Sequence, residues 1–567
     1  MISFRVFLAY TLALSTVALS SCTKKGGETP AENPLLTEKM LLKLPVTTAG
    51  FTVLDLGGEG YKLLQASPFN SPANAKQSFE AFIEKVREAN TEGDQTALDQ
   101  QLALAQKGYQ ALEKLGVLSP EGLYTPDRVF SKVVGFVGAV EDDSLPLSLG
   151  FFAEGKPTID MTDKLSIAKD FLSESGLSVS AEKLAGAARV VASFEGAPAK
   201  LYLGATKTHL ALAIRKADLD GFFSETNTPT LEQLRTAPEF KKATASLQPN
   251  KNAITFMYAS IPRLAPLLAR LAKVDEELQF DPKNVPVESI AGQSAFGQQY
   301  AARLNVAISP RTDTQTKVSA ALEGSSLSQA ATKLPANTAF AISLDAKGTS
   351  NLDSLLQSVQ NSPAADMVTH LKKLKGVTLG ARNNNGGSPV PDIFLSIDSQ
   401  DRDALGRFIE SSLGMALSMT GQNTTWMSKD IDGSSTRYFT TLIGAGVYMS
   451  YPKGSQTVLI GTSENLIRDI IAADAGKTPA LTASLPKPLQ AQFSSYNLAS
   501  CYFNFNQVGD LVDSVKSTLA MFTGGNSELN DALNSAKLRT FGVGIAGVSY
   551  AAGVVSLESS LQPPSVQ

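Results

Sequence analysis

The sequence predicts an α+β protein of two tandem repeats, each a largely antiparallel sheet with helices packed on one face. Three observations carry this expectation. A fifteen-residue segment recurs 290 positions downstream, and the same order of hairpins, helices and strands follows each copy. Short turns join neighbouring strand patterns, which favours antiparallel pairing, while the interspersed helices need a sheet face to cover.

The recurring segment reads LPVTTAGFTVLDLGG at 44–58 and LPANTAFAISLDAKG at 334–348, with seven of fifteen positions identical. They are Leu44/Leu334, Pro45/Pro335, Thr48/Thr338, Ala49/Ala339, Leu54/Leu344, Asp55/Asp345 and Gly58/Gly348. A hairpin pattern follows in each copy, Val133–Val140 with Leu147–Phe152, then Val377–Ala381 with Ile393–Ile397. The turns run through Glu141-Asp142-Asp143-Ser144 and Asn383-Asn384-Asn385-Gly386-Gly387, the latter rich in residues that tolerate positive φ. Helices containing Phe171-Leu172 and Phe408-Ile409 come next, 237 residues apart instead of 290. That difference places an inserted helical hairpin at about 75–115, where Phe79, Phe82, Ile83 and Val86, then Leu98, Leu102 and Leu104, have helical spacing.

Strand pairs Leu201–Gly204/His209–Ile214 and Val447–Tyr451/Thr457–Ile460 continue the series. The alternating strands Ile254–Tyr258 and Cys501–Phe505 then each lead into an amphipathic helix, one with Ile261, Leu264, Leu267, Leu268 and Leu271, the other with Val508, Leu511, Val512, Val515 and Leu519. Each copy is expected to close on two strands, Leu304–Ile308/Lys317–Leu322 and Phe541–Val548/Gly553–Leu557, which aligns Val318 with Val555. The expected organisation is a signal at 1–21, a flexible tether at 22–43, a first repeat at 44–333 and a second at 334–567.

Met1 to Arg5 carry one positive charge, and Val6 to Leu19 form an apolar run too short to cross a bilayer comfortably. Leu19-Ser20-Ser21-Cys22 follows and resembles the lipobox of bacterial lipoproteins. The resemblance implies that Cys22 receives diacylglyceryl on sulfur and becomes the mature N-terminus, so that the membrane is a partner through the N-terminal lipid. Thr23, not Asp, comes next, which by the same resemblance favours the outer membrane and leaves open whether the body faces the periplasm or the surface. With Cys22 acylated, Cys501 has no disulfide partner and reads as a buried structural thiol. An acylated terminus followed by paired α+β repeats with an LPxxT start resembles a class of uncharacterised bacterial extracytoplasmic proteins. That resemblance spans about 44–567 and implies no activity and no functional residue.

Composition narrows the function. Lys+Arg number 50 against 54 Asp+Glu, a net charge of −4 with no basic patch, which argues against nucleic acid as a partner. Only 18% of residues are charged, below the roughly 25% of ordinary soluble domains, and the chain has two His. Gly476-Lys477-Thr478 lacks the upstream Gly of a phosphate loop, since Ile471 stands there. Ser166/Lys169, Ser180/Lys183 and Ser484/Lys487 have Ser-x-x-Lys spacing and Ser495-Tyr496-Asn497 a related form, but no Lys-Thr-Gly completes the acyl-transfer set. His209 and His370 fall at different stages of the repeats. Asp218-Leu219-Asp220-Gly221 and Asp430-Ile431-Asp432-Gly433 lack the remaining ligands of a calcium loop, and the second Asp-Gly reads as a hairpin turn.

No catalytic residue, cofactor or metal is therefore expected. Phe222-Phe223, Phe256, Tyr258, Phe503 and Phe505 are expected to be core, the alternative being the lining of a groove for a hydrophobic ligand. The function expected is non-enzymatic binding or scaffolding by a lipid-anchored envelope protein, its partner another envelope protein or a hydrophobic ligand. The alternatives are a carrier or chaperone for hydrophobic cargo and, behind it, an envelope hydrolase.

Overall fold

The computed structural model describes residues 33–564 apart from 68–75, 78, 82, 85–94, 141–145, 185–186, 194–199, 248, 275–283, 324, 326, 328–332, 347–369, 385–390, 420–424, 441–445 and 524–534. Cys22, the signal, the turn at 141–144 and most of the first arm of the inserted hairpin lie outside the described residues. The chain forms two compact units. The first runs to Gly297 and includes Ala302–Ile308; the second takes Gln298–Ala301 and everything from Ser309.

The first unit contains β1 (Thr48–Asp55), α1 (Glu59–Gln65), α2 (Gln95–Leu115), β2 (Phe130–Ala139), β3 (Leu147–Gly155) and α3 (Met161–Glu174). It continues through β4 (Ser178–Leu184), β5 (Ala187–Ser193), β6 (Lys200–Ala205), β7 (His209–Ala213), α4 (Lys216–Phe223), α5 (Thr230–Thr236) and α6 (Pro238–Thr244). It ends with β8 (Ala253–Ser260), α7 (Ile261–Val274), β9 (Val287–Phe296) and β10 (Tyr300–Ile308).

The second unit contains α8 (Asp313–Glu323), β11 (Phe340–Asp345), β12 (Leu374–Arg382), β13 (Asp392–Ser399), α9 (Arg402–Met419), β14 (Met427–Ile431) and β15 (Ser434–Thr440). Then come β16 (Gly446–Tyr451), β17 (Thr457–Gly461), α10 (Glu464–Asp474), α11 (Leu481–Ser484) and α12 (Lys487–Phe493). The last elements are β18 (Ala499–Asn504), α13 (Phe505–Thr523), α14 (Ser535–Arg539), β19 (Val543–Ala551) and β20 (Val554–Gln562).

Both units are antiparallel and share one strand order. In the first it is β10-β9-β8-β1-β2-β3-β7-β6-β5-β4. In the second it is β20-β19-β18-β11-β12-β13-β17-β16-β15-β14. The fold is thus α+β in two tandem repeats, and the register repeats with the topology. Phe51 lies between Phe136 and Tyr258, and 290 residues on Ala341 lies between Gly380 and Tyr502. One strand further out, Phe136 pairs with Gly150 and Gly380 with Phe394. The large and small partners have changed sides. A Cβ on Gly150 would meet the Phe136 ring at 2.8 Å, and one on Gly380 the Phe394 ring at 2.4 Å, so each pair admits one ring only. Swaps that conserve volume preserve a core while erasing its sequence identity.

The first repeat buries Phe51, Val53, Phe136, Phe152, Phe256 and Tyr258 beneath Leu219 and Phe222 of α4, Leu231 and Leu234 of α5, and Phe240 of α6. The rings of Phe152 and Phe222 stack with centroids 4.0 Å apart. Helices take both sheet faces, because the central strands carry apolar residues on both. In the second repeat Ala341, Phe394 and Leu459 lie under α10, α11 and α12, whereas Ile397 and Ile460 lie under α9.

Three expectations are corrected. The tether predicted over 22–43 does not reach that far, because residues 34–43 form two short 3₁₀ helices whose Leu35, Leu36, Met40 and Leu41 join the first core. Lys317–Leu322 is not a strand but part of α8, which buries no side chain. The closing strand of the first repeat is instead β10, joined to β9 at Ile308↔Val287, so Val318 and Val555 do not correspond. The boundary between compact units accordingly falls near residue 308 instead of 333. Strands β4, β5 and β9 had no landmark of their own in the sequence, and β14 and β15 had only the Asp-Gly turn between them. The Asp432-Gly433 turn joins β14 to β15 with φ of 51° and 80°, the left-handed pair of a tight hairpin.

Candidate functional site

The central sheet of the second repeat has two unlike faces, fixed by the period-two alternation of its strands. The face under α10–α12 is mixed. Ser343 and Thr378 hydroxyls lie 2.8 Å apart there, and Arg382, with 2% of its side chain exposed, bonds to Asp392 at 3.1 Å and Asp469 at 2.6 Å. On the opposite face the described central positions are apolar: Ile342 and Leu344 on β11, Val377, Leu379 and Ala381 on β12, Ile393, Leu395 and Ile397 on β13, Cys501 and Phe503 on β18.

Two helices cover the ends of that apolar face. Val508 and Leu511 of α13 pack on Phe340 and Ala381, and Leu405 and Ile409 of α9 pack with Leu374 and Ile397. Between them the floor is exposed among the described residues. Leu344 is 53% exposed, Leu379 43% and Ile393 44%, on three adjacent central strands, where the solvent face of an antiparallel sheet is ordinarily polar. The corresponding positions of the first repeat are Leu54, Gly135 and Leu149, where both leucines are half-buried and α7 packs over β1, β2 and β9.

The aromatic residues singled out in the sequence divide between core and floor. Phe222, Phe256 and Tyr258 are core, with Phe223 packed against them. Phe503 lies on the open face of the second repeat, stacked on Phe340 at 6.3 Å and on Phe505 at 5.8 Å. The floor itself was not anticipated. Its signal was available in Ile393-Phe394-Leu395, three consecutive apolar residues in a strand that can hide only one face under α10–α12.

The motif residues hold local structure. Half-buried His209 on β7 bonds through Nδ1 to the Thr208 hydroxyl at 2.8 Å, and burial pushes its pKa down against the opposing pull of Glu154. His370 rests against the ring of Phe408, centroids 4.8 Å apart. Cys501 is half-buried on β18, and burial pushes its thiol up, away from nucleophilic thiolate. Ser166 and Ser484 donate to helix carbonyls at Thr162 and Leu481, while Ser180 and Lys183 lie on β4. Gly476 ends α10 in a left-handed turn, its N–H on the Ala473 carbonyl, so this is a helix C-terminus and the wrong pole for phosphate. Asp430 accepts from Gly433 N–H within its turn. A polar recess of about 350 Å³ lies among Gln400, Asp401, Arg402, Asp403 and Gly454–Gln456. Its charges are engaged, Asp401 with Lys373 and Arg402 with the Pro452 and Ser455 carbonyls.

Asp218, 5% exposed at the start of α4, accepts from the Ser148 hydroxyl at 2.8 Å, and Ser148 in turn accepts from Thr47 at 2.9 Å. Burial raises its pKa, outweighing the Ser148 bond and the charge of Arg215. A raised folded-state pKa means that the native protein holds this proton more tightly than the unfolded chain. Its contribution is full below the unfolded pKa and is lost as pH rises through the folded one. Asp218→Asn, which keeps the acceptor and removes the charge, is therefore expected to stabilise the first repeat at pH 7 and flatten its stability profile above about pH 4. Urea midpoints between pH 4 and 8 check this; a lower midpoint at pH 7 for the Asn variant contradicts it.

No family model and no curated protein matches the chain. Among solved structures, three crystal forms of TP0453 are similar to it. Form I is 11% identical and covers 52% of this chain and 88% of that one, with a TM-score of 0.23. Form III is 10% identical and covers 54% and 90%, with a TM-score of 0.23. Form IV is 9% identical and covers 47% and 79%, with a TM-score of 0.21. No residue role passes from TP0453 to this chain.

Proposed function

We propose that this is a lipid-anchored envelope protein that works by non-covalent binding and not by catalysis, with the open apolar face of the second repeat as its binding surface. One observation carries the reading: three large aliphatic side chains stand exposed on adjacent central strands, while the mixed face of the same sheet is buried. Leaving apolar surface in water costs roughly 25 cal/mol per Å². A sheet that buries its more polar side and leaves its greasier side open is arranged for an apolar occupant.

The anchor rests on Leu19-Ser20-Ser21-Cys22 and the apolar run before it. Each buried methylene of an acyl chain contributes about 0.8 kcal/mol, so a multiply acylated terminus holds a large body on a bilayer. None of the described helices is long and apolar enough to cross a membrane. Thr23 after the Cys favours outer-membrane delivery in this reading.

The test uses Cys22→Ser expressed behind an ordinary cleavable secretory signal, so that no uncleaved leader holds the protein. The natural chain is expected in the membrane pellet and the variant in the soluble fraction, a redistribution of tenfold or more. Equal retention of both in the pellet contradicts the anchor.

A further inference from the structure

We propose that the open floor between α9 and α13 holds one acyl chain of a membrane phospholipid, the head group projecting beyond it. This rests on the binding reading above and names the ligand of that same surface. Ile342, Leu344, Leu379, Ile393 and Leu395 offer no hydrogen bond, and the backbone beneath them is already paired. β11 is bonded to β12 and β18, β12 to β11 and β13, and β13 to β12 and β17. An added peptide strand needs a free edge, and a sugar needs polar partners. Hydrocarbon needs neither.

Leu344, Leu379 and Ile393 together expose less surface than two fully exposed leucines. A stable protein interface takes roughly 20–30 residues a side, so neither a second copy nor a globular partner is matched to this floor. The three side chains descend diagonally across β11, β12 and β13, whose spacing of about 4.8 Å suits one extended chain lying across the pleat. The described floor positions carry no cation to hold a carboxylate, so the site reads the chain and not the head, and a protein held at a bilayer meets phospholipid chains before free fatty acid.

The experiment uses the mature chain carrying Cys22→Ser, stripped of lipid, with a lysophosphatidylcholine bearing one 16-carbon chain as the probe. Native mass spectrometry is expected to show one probe per protein, and bound probe should slow maleimide labelling of Cys501, which lies opposite Ile342 on the same face. Leu379→Lys and, as a second variant, Ile393→Asn should each weaken binding tenfold or more with unchanged far-ultraviolet circular dichroism. Val318→Lys, 43% exposed on α8, should leave it unaltered. Failure to bind, binding undiminished in both floor variants, or binding of palmitate but not of the lysolipid would overturn the proposal. The protein here is already unanchored, so a failed probe with an intact fractionation shift removes the ligand alone, and the reverse removes the anchor alone.

Discussion

Arg382→Ala is expected to destabilise the second repeat by about 3–5 kcal/mol, the cost of leaving a buried charge without its partner. The guanidinium donates from Nε to Asp392 Oδ2 at 3.1 Å and from Nη1 to Asp469 Oδ2 at 2.6 Å and Asn337 Oδ1 at 3.4 Å. Both Arg382 and Asp392 have only 2% of their side chains exposed, so water cannot replace what the mutation removes. Half-exposed Asp469 can turn to solvent; Asp392 cannot. The double change Arg382→Met with Asp392→Leu should recover most of the loss, because apolar groups of similar size replace a buried pair at little cost. Urea midpoints of the single and double variants decide this, and a double variant as unstable as the single would refute it. The first repeat solves the same corner differently. Gly138 occupies the position matching Arg382, and a Cβ there would lie 2.0 Å from the Thr47 carbonyl. The Thr47–Ser148–Asp218 chain of hydrogen bonds spans the gap instead.

Phe256→Ala should cost the first repeat about 3–5 kcal/mol, the range for emptying a buried phenyl site. The residue is 1% exposed on β8, its ring 5.9 Å from Phe51 across the strand pair. The neighbours that would have to collapse into the cavity are held in a sheet, which limits relaxation. Limited proteolysis should then cut the first repeat preferentially in Phe256→Ala and the second in Arg382→Ala. Cleavage that spreads evenly over both repeats in each variant would show that the two do not unfold separately.

The start of each repeat was legible because the residues the two copies share do definite work. Leu44 and Leu334 are buried, and Pro45 and Pro335 open a turn closed by the N–H of Thr48 and Thr338 at 3.0 Å. Ala49 and Ala339, both fully buried, lead the chain into the central strand. The hairpins announced themselves by alternation and turn residues. The rest was hidden for physical reasons. The Phe136/Gly150 and Gly380/Phe394 exchange keeps volume but not identity, so it is visible only once register is known. Lys317–Leu322 has a short apolar pattern that suits strand or helix, and only the true pairing of β9 with β10 decides it. The open floor depends on which face α10–α12 cover, and a sequence does not state that.

The central proposal is that a lipid on Cys22 holds this protein at the membrane. Its most direct measurement is the mass of the N-terminal peptide from protein purified out of membranes. The expected peptide begins at Cys22 and carries diacylglyceryl on sulfur; an unmodified cysteine, or a chain beginning elsewhere, would contradict the anchor.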